Sequence, residues 1–480
     1  MKFLNFNRAT IIFILMVLCS SSIFFTSCKD KTMDGMIIIT RVAGTVPVEN
    51  FASGNGWRYI PKTQIVAIDP KEGKESLKVL TGDYFSAQAP AISYDATHML
   101  FSGQLKENDP WQIWEMDLEN LKTRQITNSD INCTDPDYLP DGRIVYSKSE
   151  NNDSLKAGHS LNTCKSDGSE SKRITFNPLT YFASGILYDG RILTLGKQVF
   201  PQEGDQILMV MRPDGTKAEM FYNGDIDCNI LTKSRETMDG KILFIESKNG
   251  KDPGGKLISI TYNRPLHSRT DLAEGIEGDF ISVFPVESGK LLVSFRKSNL
   301  ERHSLYEFDL LNKALGKEIY RDQEFEVLDA IIVEQKTRPK KLPSEVDMEV
   351  KTGLLLCQDI NVGDPEWITG DTALTEAYGI EVIGLDSSMG KVRVEKDGSF
   401  YLKVIADKPF RIQTIDKDGK ILKGPGSWLY LRPLERRGCI GCHQDPELVP
   451  ENKIPLAVKK DPVIIPVHLD KVVEKNVLLD

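Results

Sequence analysis

The chain repeats itself with a period near 48 residues, and this restricts its fold more than any other feature of the sequence. Short β-prone runs begin at Gln64 (QIVAID), Gln112 (QIWEMD), Ser160 (SLNTCK), Gln206 (QILMVM), Lys256 (KLISI) and Ser304 (SLYEFD), so successive starts lie 48, 48, 46, 50 and 48 residues apart. Three units carry the same turn and strand: Asp141-Gly142-Arg143-Ile144-Val145, Asp189-Gly190-Arg191-Ile192-Leu193 and Asp239-Gly240-Lys241-Ile242-Leu243, with weaker copies at Asp95 and Ser288-Gly289. Asp-Gly between β-prone runs marks a tight hairpin, because glycine takes the positive φ that a twisted hairpin demands. Hairpins that recur every 40 to 50 residues are propeller blades. Six copies of the signal predict six blades, with residues 328–334 as a closing strand or the remnant of a seventh.

A proline-flanked basic stretch, residues 337–343, reads as a linker. Beyond it, alternating runs at 353–360, 379–385, 391–395, 400–405 and 410–416 are separated by turns at Asp397-Gly398 and Asp418-Gly419, which predicts a small antiparallel β-sandwich. The expected fold is therefore all-β: a six-bladed propeller, or a seven-bladed one if the remnant counts, followed by a small sandwich. The acidic balance, 60 basic against 69 acidic residues for a net charge of −9, has no dense basic tract and excludes a nucleic-acid binder that relies on phosphate neutralisation.

The first 28 residues combine Lys2 and Arg8, an apolar run from residue 11 to 18, and Thr26-Ser27-Cys28. This is an export signal ending in a lipoprotein cysteine, with an uncleaved anchor as the alternative. Lipid on Cys28 would tether the mature chain to a membrane of the bacterial cell envelope, facing the periplasm or the cell exterior.

Eight cysteines divide by position. Cys19 leaves with the signal and Cys28 carries lipid, while Cys439 and Cys442 belong to Arg436-Arg437-Gly438-Cys439-Ile440-Gly441-Cys442-His443, the one C-x-x-C-H of the chain. In an exported protein this spacing attaches a single covalent haem c: two thiols bond one porphyrin edge, and His443 ligates the iron from the proximal side. A thioredoxin-like pair would need a βαβ context, and a zinc knuckle a second ligand pair; neither is present. A disulfide within the motif is the remaining alternative. His468, the other histidine of the C-terminal segment, is the candidate distal ligand, ahead of Met348 and Met389. Arg432, Arg436 and Arg437 are candidates for the propionates, and Trp428 and Tyr430 for packing on the porphyrin. Cys133, Cys164, Cys228 and Cys357 allow three full pairings; Cys133 with Cys228 is attractive because both occupy matching blade positions.

Two resemblances sharpen this reading. The stretch DYLPDGRIVYSKS (residues 137–149) resembles the TolB-like and WD40-like propeller repeats of bacterial envelope proteins. The block WLYLRPLERRGCIGCH (residues 428–443), with Asp397-Gly398-Ser399-Phe400 and the ADKPFR run at 406–411 before it, resembles the middle domain of the hydrazine synthase alpha subunit family. That family places a six-bladed propeller before the haem domain. The resemblance implies a division into a signal (1–27), a propeller (28–336), a linker (337–344), a middle-domain-like sandwich (345–435) and a haem segment with tail (436–480). It also implies haem binding by Cys439, Cys442 and His443. The family's enzyme has a further haem domain and a tyrosine shortly after the motif histidine that joins in iron ligation. Here no second C-x-x-C-H follows and the fourth residue after His443 is Glu447, so hydrazine synthesis itself is not expected. The function expected is that of a membrane-anchored monohaem cytochrome passing single electrons to a redox partner in the envelope, with the propeller as docking platform. A haem-dependent oxidoreductase with an open iron site and a scaffold with a structural haem are the alternatives.

Overall fold

The third strand of every propeller sheet is one of the six runs that define the repeat. Its residues are buried on both faces because neighbouring sheets stack against each of them, as in Thr63–Asp69, Gln112–Asp117 and His159–Cys164. The outermost strands, such as Gly73–Val79 and Thr123–Gln125, are largely exposed. The computed structural model describes residues 33–45, 58–150, 158–225, 228–248, 253–286, 289–362, 376–441 and 452–466. Among these residues six sheets follow one another between Gly35 and Val333, all antiparallel and each formed from consecutive strands except the first.

The first sheet takes its innermost strand from the far end of the repeat. Phe325–Ile332 pairs antiparallel with Ile37–Ala43, from Ile37 opposite Ile332 to Ala43 opposite Phe325. The segment anticipated as a closing strand or seventh-blade remnant is thus part of the first sheet. A polar clasp reinforces this closure. Arg41 Nη1 donates to the Tyr320 hydroxyl at 2.9 Å, its guanidinium lies 3.8 Å from the Phe325 ring centroid, and Asp322 pairs with Arg41 at 3.5 Å and with Lys74 at 3.2 Å.

The Asp-Gly turns fold as anticipated: Gly142, Gly190 and Gly240 have φ of +88°, +90° and +78°. Several have a second use. Residues 336–345 run along these turns instead of spanning free space. Lys336 N donates to Tyr94 O at 2.9 Å, Arg338 Nη1 to Pro140 O at 3.3 Å, and Lys340 N to Tyr188 O at 3.1 Å. Gly190 must be glycine twice over, since a Cβ there would also meet the Lys340 carbonyl at 1.9 Å.

Two four-stranded sheets form the sandwich. One orders Ser388–Arg393, Gly379–Ile383, Arg411–Ile415 and Ile421–Lys423, all antiparallel. The other orders Arg436–Cys439, Thr352–Cys357, Phe400–Ile405 and Val463–Ile465, and both of its edges are parallel pairings. The purely antiparallel sandwich read from the sequence is therefore corrected to one with a mixed sheet. Leu355, Ile380, Val382, Leu402, Val404 and Ile412 fill the space between the sheets.

Cys133, Cys164 and Cys228 carry free thiols, which corrects the Cys133 with Cys228 pairing. Those two cysteines lie two sheets apart. Cys133 and Cys164 share one apolar cluster, where burial pushes each thiol up to about 11, so both serve as small core residues.

Candidate functional site

The cysteine motif begins at the end of an edge strand. Arg436–Cys439 lies in parallel register with Thr352–Cys357, placing Cys439 beside Cys357. The following backbone stays attached, with Gln358 N donating to Cys439 O at 2.9 Å and Asp359 N to Ile440 O at 3.2 Å. Gly441 sits so close to this loop that a Cβ would lie 2.4 Å from Val362 O and 3.0 Å from Asp359 O. Space, not a positive φ, demands glycine there. Cys439 is half-buried and packs on the sandwich core.

The chain returns to the same sheet after the motif. Val463–Ile465 pairs with Leu402 to Val404 on the opposite edge. Just before it, Leu456 N donates to Asp397 Oδ2 at 2.8 Å and Ala457 N to Ser399 Oγ at 3.0 Å. Burial works against the Asp397 carboxylate, but the Ser399 hydroxyl and the Leu456 and Ser399 N–H groups hold its pKa below the usual range. Asp397-Gly398-Ser399 is thus a turn that also receives the returning chain. The motif is bracketed by two strands of one sheet.

The segment before the motif docks this sheet onto the propeller. The Tyr430 hydroxyl donates to the Gly215 carbonyl at 3.0 Å and the Ile174 carbonyl at 3.2 Å, and the ring packs edge-on against Phe176. Trp428 Nε1 donates to Phe200 O at 2.9 Å. Arg432 reaches Asp214 O at 3.1 Å and Asp407 Oδ1 at 2.8 Å, while Arg437 reaches Ala218 O at 3.1 Å. At the centre is Glu435, 1% exposed, which accepts from Lys217 N at 2.8 Å, Arg432 N at 2.7 Å and Arg437 Nη2 at 2.7 Å.

Residues 345–444 match the sequence family described as the hydrazine synthase alpha subunit middle domain. This chain carries that domain. Hydrazine synthase subunit alpha of Kuenenia stuttgartiensis is 22% identical over 531 aligned positions, covering 84% of this chain and 64% of that protein. The chain therefore spans less than two thirds of that relative's length. The solved structure of Kuenenia stuttgartiensis hydrazine synthase aligns with a TM-score of 0.76 at 19% identity, over 89% of this chain and 71% of that one, and has the same fold. TolB from Acinetobacter baumannii aligns at 15% identity with a TM-score of 0.44, over 64% of this chain and 68% of that one.

Within the middle domain, the docking contacts change the roles anticipated for the aromatic and basic residues. Tyr430 is buried in a propeller cluster and Trp428 lies beside Phe200 with Arg411 over its ring, so both serve the interface. Arg432 and Arg437 are committed to Asp407 and Glu435, leaving Arg436 as the exposed arginine of the three. Met389 packs on the sandwich core and Met348 is 56% exposed. Cys28, Cys442, His443 and His468 lie outside the described residues. The sequence reading missed Glu435, although an acid inside a run of three arginines was a visible sign of internal pairing. No local signal singled out Cys357 as the neighbour of Cys439.

Proposed function

We propose that the protein is an envelope-anchored monohaem c-type cytochrome that passes single electrons to a redox partner docked on the propeller. The observation that carries this reading is the bracketing of the C-x-x-C-H segment by Arg436–Cys439 and Val463–Ile465 on one sheet. Cys439 and Cys442 would hold the haem through thioether bonds, His443 would ligate its iron, and His468 is the candidate for the distal face. When bound, the haem supplies a reversible one-electron change at iron. The chain's own residues keep the attachment strand in place. Cys439 packs on an apolar core, which favours a hydrophobic macrocycle edge over water, and Gly441 leaves room for the chain to turn close to the 359–362 loop.

The relation to the hydrazine synthase alpha subunit supports a haem role. Membrane attachment rests on the signal ending in Cys28, since no helix among the described residues is long and apolar enough to cross a membrane. Oxidised and reduced visible spectra of the purified chain, with the intact mass of the denatured protein, test the proposal. Wild type is expected to keep a c-type spectrum and one haem mass after denaturation, and Cys439→Ala/Cys442→Ala to lose both. A wild-type protein matured in a haem-c-competent host but free of haem would overturn it. Added CO separates electron transfer from an open-site enzyme: a six-coordinate reduced haem leaves the spectrum unchanged.

A further inference from the structure

All six propeller sheets contribute to a cavity of about 110 Å³ on their common axis. One water needs roughly 10–15 Å³ on the same measure, so the space holds several waters or one ligand of a few heavy atoms. Its wall is built for polar contact. The innermost strands of sheets two, three and four each break register there, between Gln88 and Ala91, Thr134 and Asp137, and Phe182 and Gly185. At these bulges Ala89, Asp135 and Ala183 take φ of +54°, +51° and +53°. A bulge re-aims side chains, and non-glycine residues in this conformation cluster at functional sites.

Both signs of charge face this space. Arg58, Lys233 and Arg235 line it together with Asp135 and Asp329. Two of the cations already have acids: Lys233 Nζ lies 2.6 Å from Asp137, and Arg235 Nη2 lies 3.9 Å from Asp329. Asp135 differs. Its Oδ2 accepts one backbone bond, from Ala183 N at 3.2 Å, and among the described residues no basic group comes within 4.0 Å of its carboxylate. Burial pushes this carboxyl up, opposed by the more distant Arg58 and Lys233. A half-buried carboxylate on a cavity wall with one hydrogen bond lacks most of the partners it can accept.

We propose that the axial cavity binds a small zwitterion of the α-amino-acid type, its ammonium on Asp135 and its carboxylate toward the Lys233 and Arg235 side. The three cations of the wall are matched by Asp135, Asp329 and the Asp137 that pairs with Lys233, so a ligand with net charge would leave one sign uncompensated in a confined site. A zwitterion would meet an acid and a base at once. Phe182, Leu231 and Leu328 complete the wall and suit a short aliphatic side chain.

Isothermal titration calorimetry on the full chain tests this with L-alanine as the probe, and with propionate and ethylammonium as single-charge controls of similar size. Alanine is expected to give a saturable one-site heat, and each control to bind at least about tenfold more weakly. Asp135→Asn is isosteric and removes a half-buried charge that lacks an ion pair, so the variant is expected to unfold at the wild-type temperature or higher while losing about tenfold or more in alanine affinity. The proposal is overturned if alanine gives no saturable heat, which would leave only water in the cavity. Propionate matching alanine, or unchanged alanine affinity in Asp135→Asn, overturns it as well.

Discussion

The propeller and the middle domain are both completed by strands brought from far along the chain, and they do it in opposite ways. In the propeller, Phe325–Ile332 runs antiparallel to Ile37–Ala43 over seven register pairs, with the Arg41, Tyr320 and Asp322 clasp at one end. In the middle domain, the edge strands Arg436–Cys439 and Val463–Ile465 are parallel and make only four and three register pairs. Parallel pairing is somewhat weaker per residue, and short edges open more readily than long buried ones. The difference separates a rigid body from an edge that, under the proposed haem attachment, would serve for loading, where a segment could be covalently modified without disturbing the larger fold. The middle domain offsets its short edges by docking: Tyr430, Arg432, Glu435 and Arg437 tie the attachment strand to the fourth sheet and the turn before it.

The sharpest way to break this contrast is to remove the dock. Glu435 is buried and serves the Arg437 guanidinium and two backbone N–H groups, those of Lys217 and Arg432, so Glu435→Ala leaves an uncompensated cation and two N–H groups in the interface. The variant is expected to lose about 3–5 kcal/mol from the middle-domain transition in chemical denaturation, with the propeller transition little changed. Equal destabilisation of both transitions would mean that the two bodies unfold as one, and the contrast would fall.

A smaller effect is expected at the propeller clasp. Burial pushes the Asp322 carboxyl up, but the Glu324 N–H, the Tyr320 hydroxyl and Lys74 outweigh it and bring the group down to about 2. A folded pKa below the unfolded value of about 3.9 contributes stability above the unfolded value, and loses it as pH falls through the folded one. Asp322→Asn is therefore expected to cost about 1–3 kcal/mol near neutral pH and progressively less from pH ~4 down to ~2. Thermal melts of the two proteins that stayed equally far apart across that window would show that the clasp does not act through this charge.

How much of this was visible in the sequence follows the same division. The propeller was legible because each unit writes its own turn and strand, and Asp189-Gly190-Arg191 folds where its chemistry says it must. The edge strands were not, because Arg-Arg-Gly-Cys and Val-Ile-Ile are too short and, in the first case, too polar to announce a strand. Only the distant partners Thr352–Cys357 and Phe400–Ile405 make them strands. The aromatic and arginine block before the motif was read as haem surroundings because it adjoins the cysteines. Its side chains turn away into the propeller, and sequence distance gave no warning of a contact between Tyr430 and Gly215. The linker stretch joins the propeller to the sandwich, and its backbone is spent on the repeated turns, which its prolines and basic residues do not reveal.

Hydrogen exchange measures the contrast directly. Backbone amides of Arg436–Cys439 and Val463–Ile465 are expected to exchange well before those of Ile37–Ala43 and Phe325–Ile332, since the shorter pairings open locally without global unfolding. Uniform protection across the four strands would remove the basis for calling one region a loading edge.

The smallest change with a specific consequence is Gly441→Ala. The backbone at this position is not in the left-handed region, so alanine is acceptable to φ and ψ, and the obstacle is the Val362 carbonyl 2.4 Å from the new Cβ. Relief has to come from backbone movement, either of the 359–362 loop or of the motif. The loop is held by Gly398 O through Ile360 N at 2.9 Å and packs against the Asp397-Gly398 turn, where a Cβ on Gly398 would already meet Asp359. On the motif side Cys439 O is held by Gln358 N at 2.9 Å, but Ile440 is tied only by the 3.2 Å bond from Asp359 N, so residues 440–441 give way first and pull on Cys439. Global stability should therefore fall by no more than about 1 kcal/mol, because little buried surface is lost. Faster exchange at the Asp359 amide and a lower haem yield per polypeptide are expected together, since the strand end that presents Cys439 is displaced from its support. Full haem yield alongside faster exchange would uncouple attachment from the bracket, and the rigid presentation of the motif would then have no part in loading.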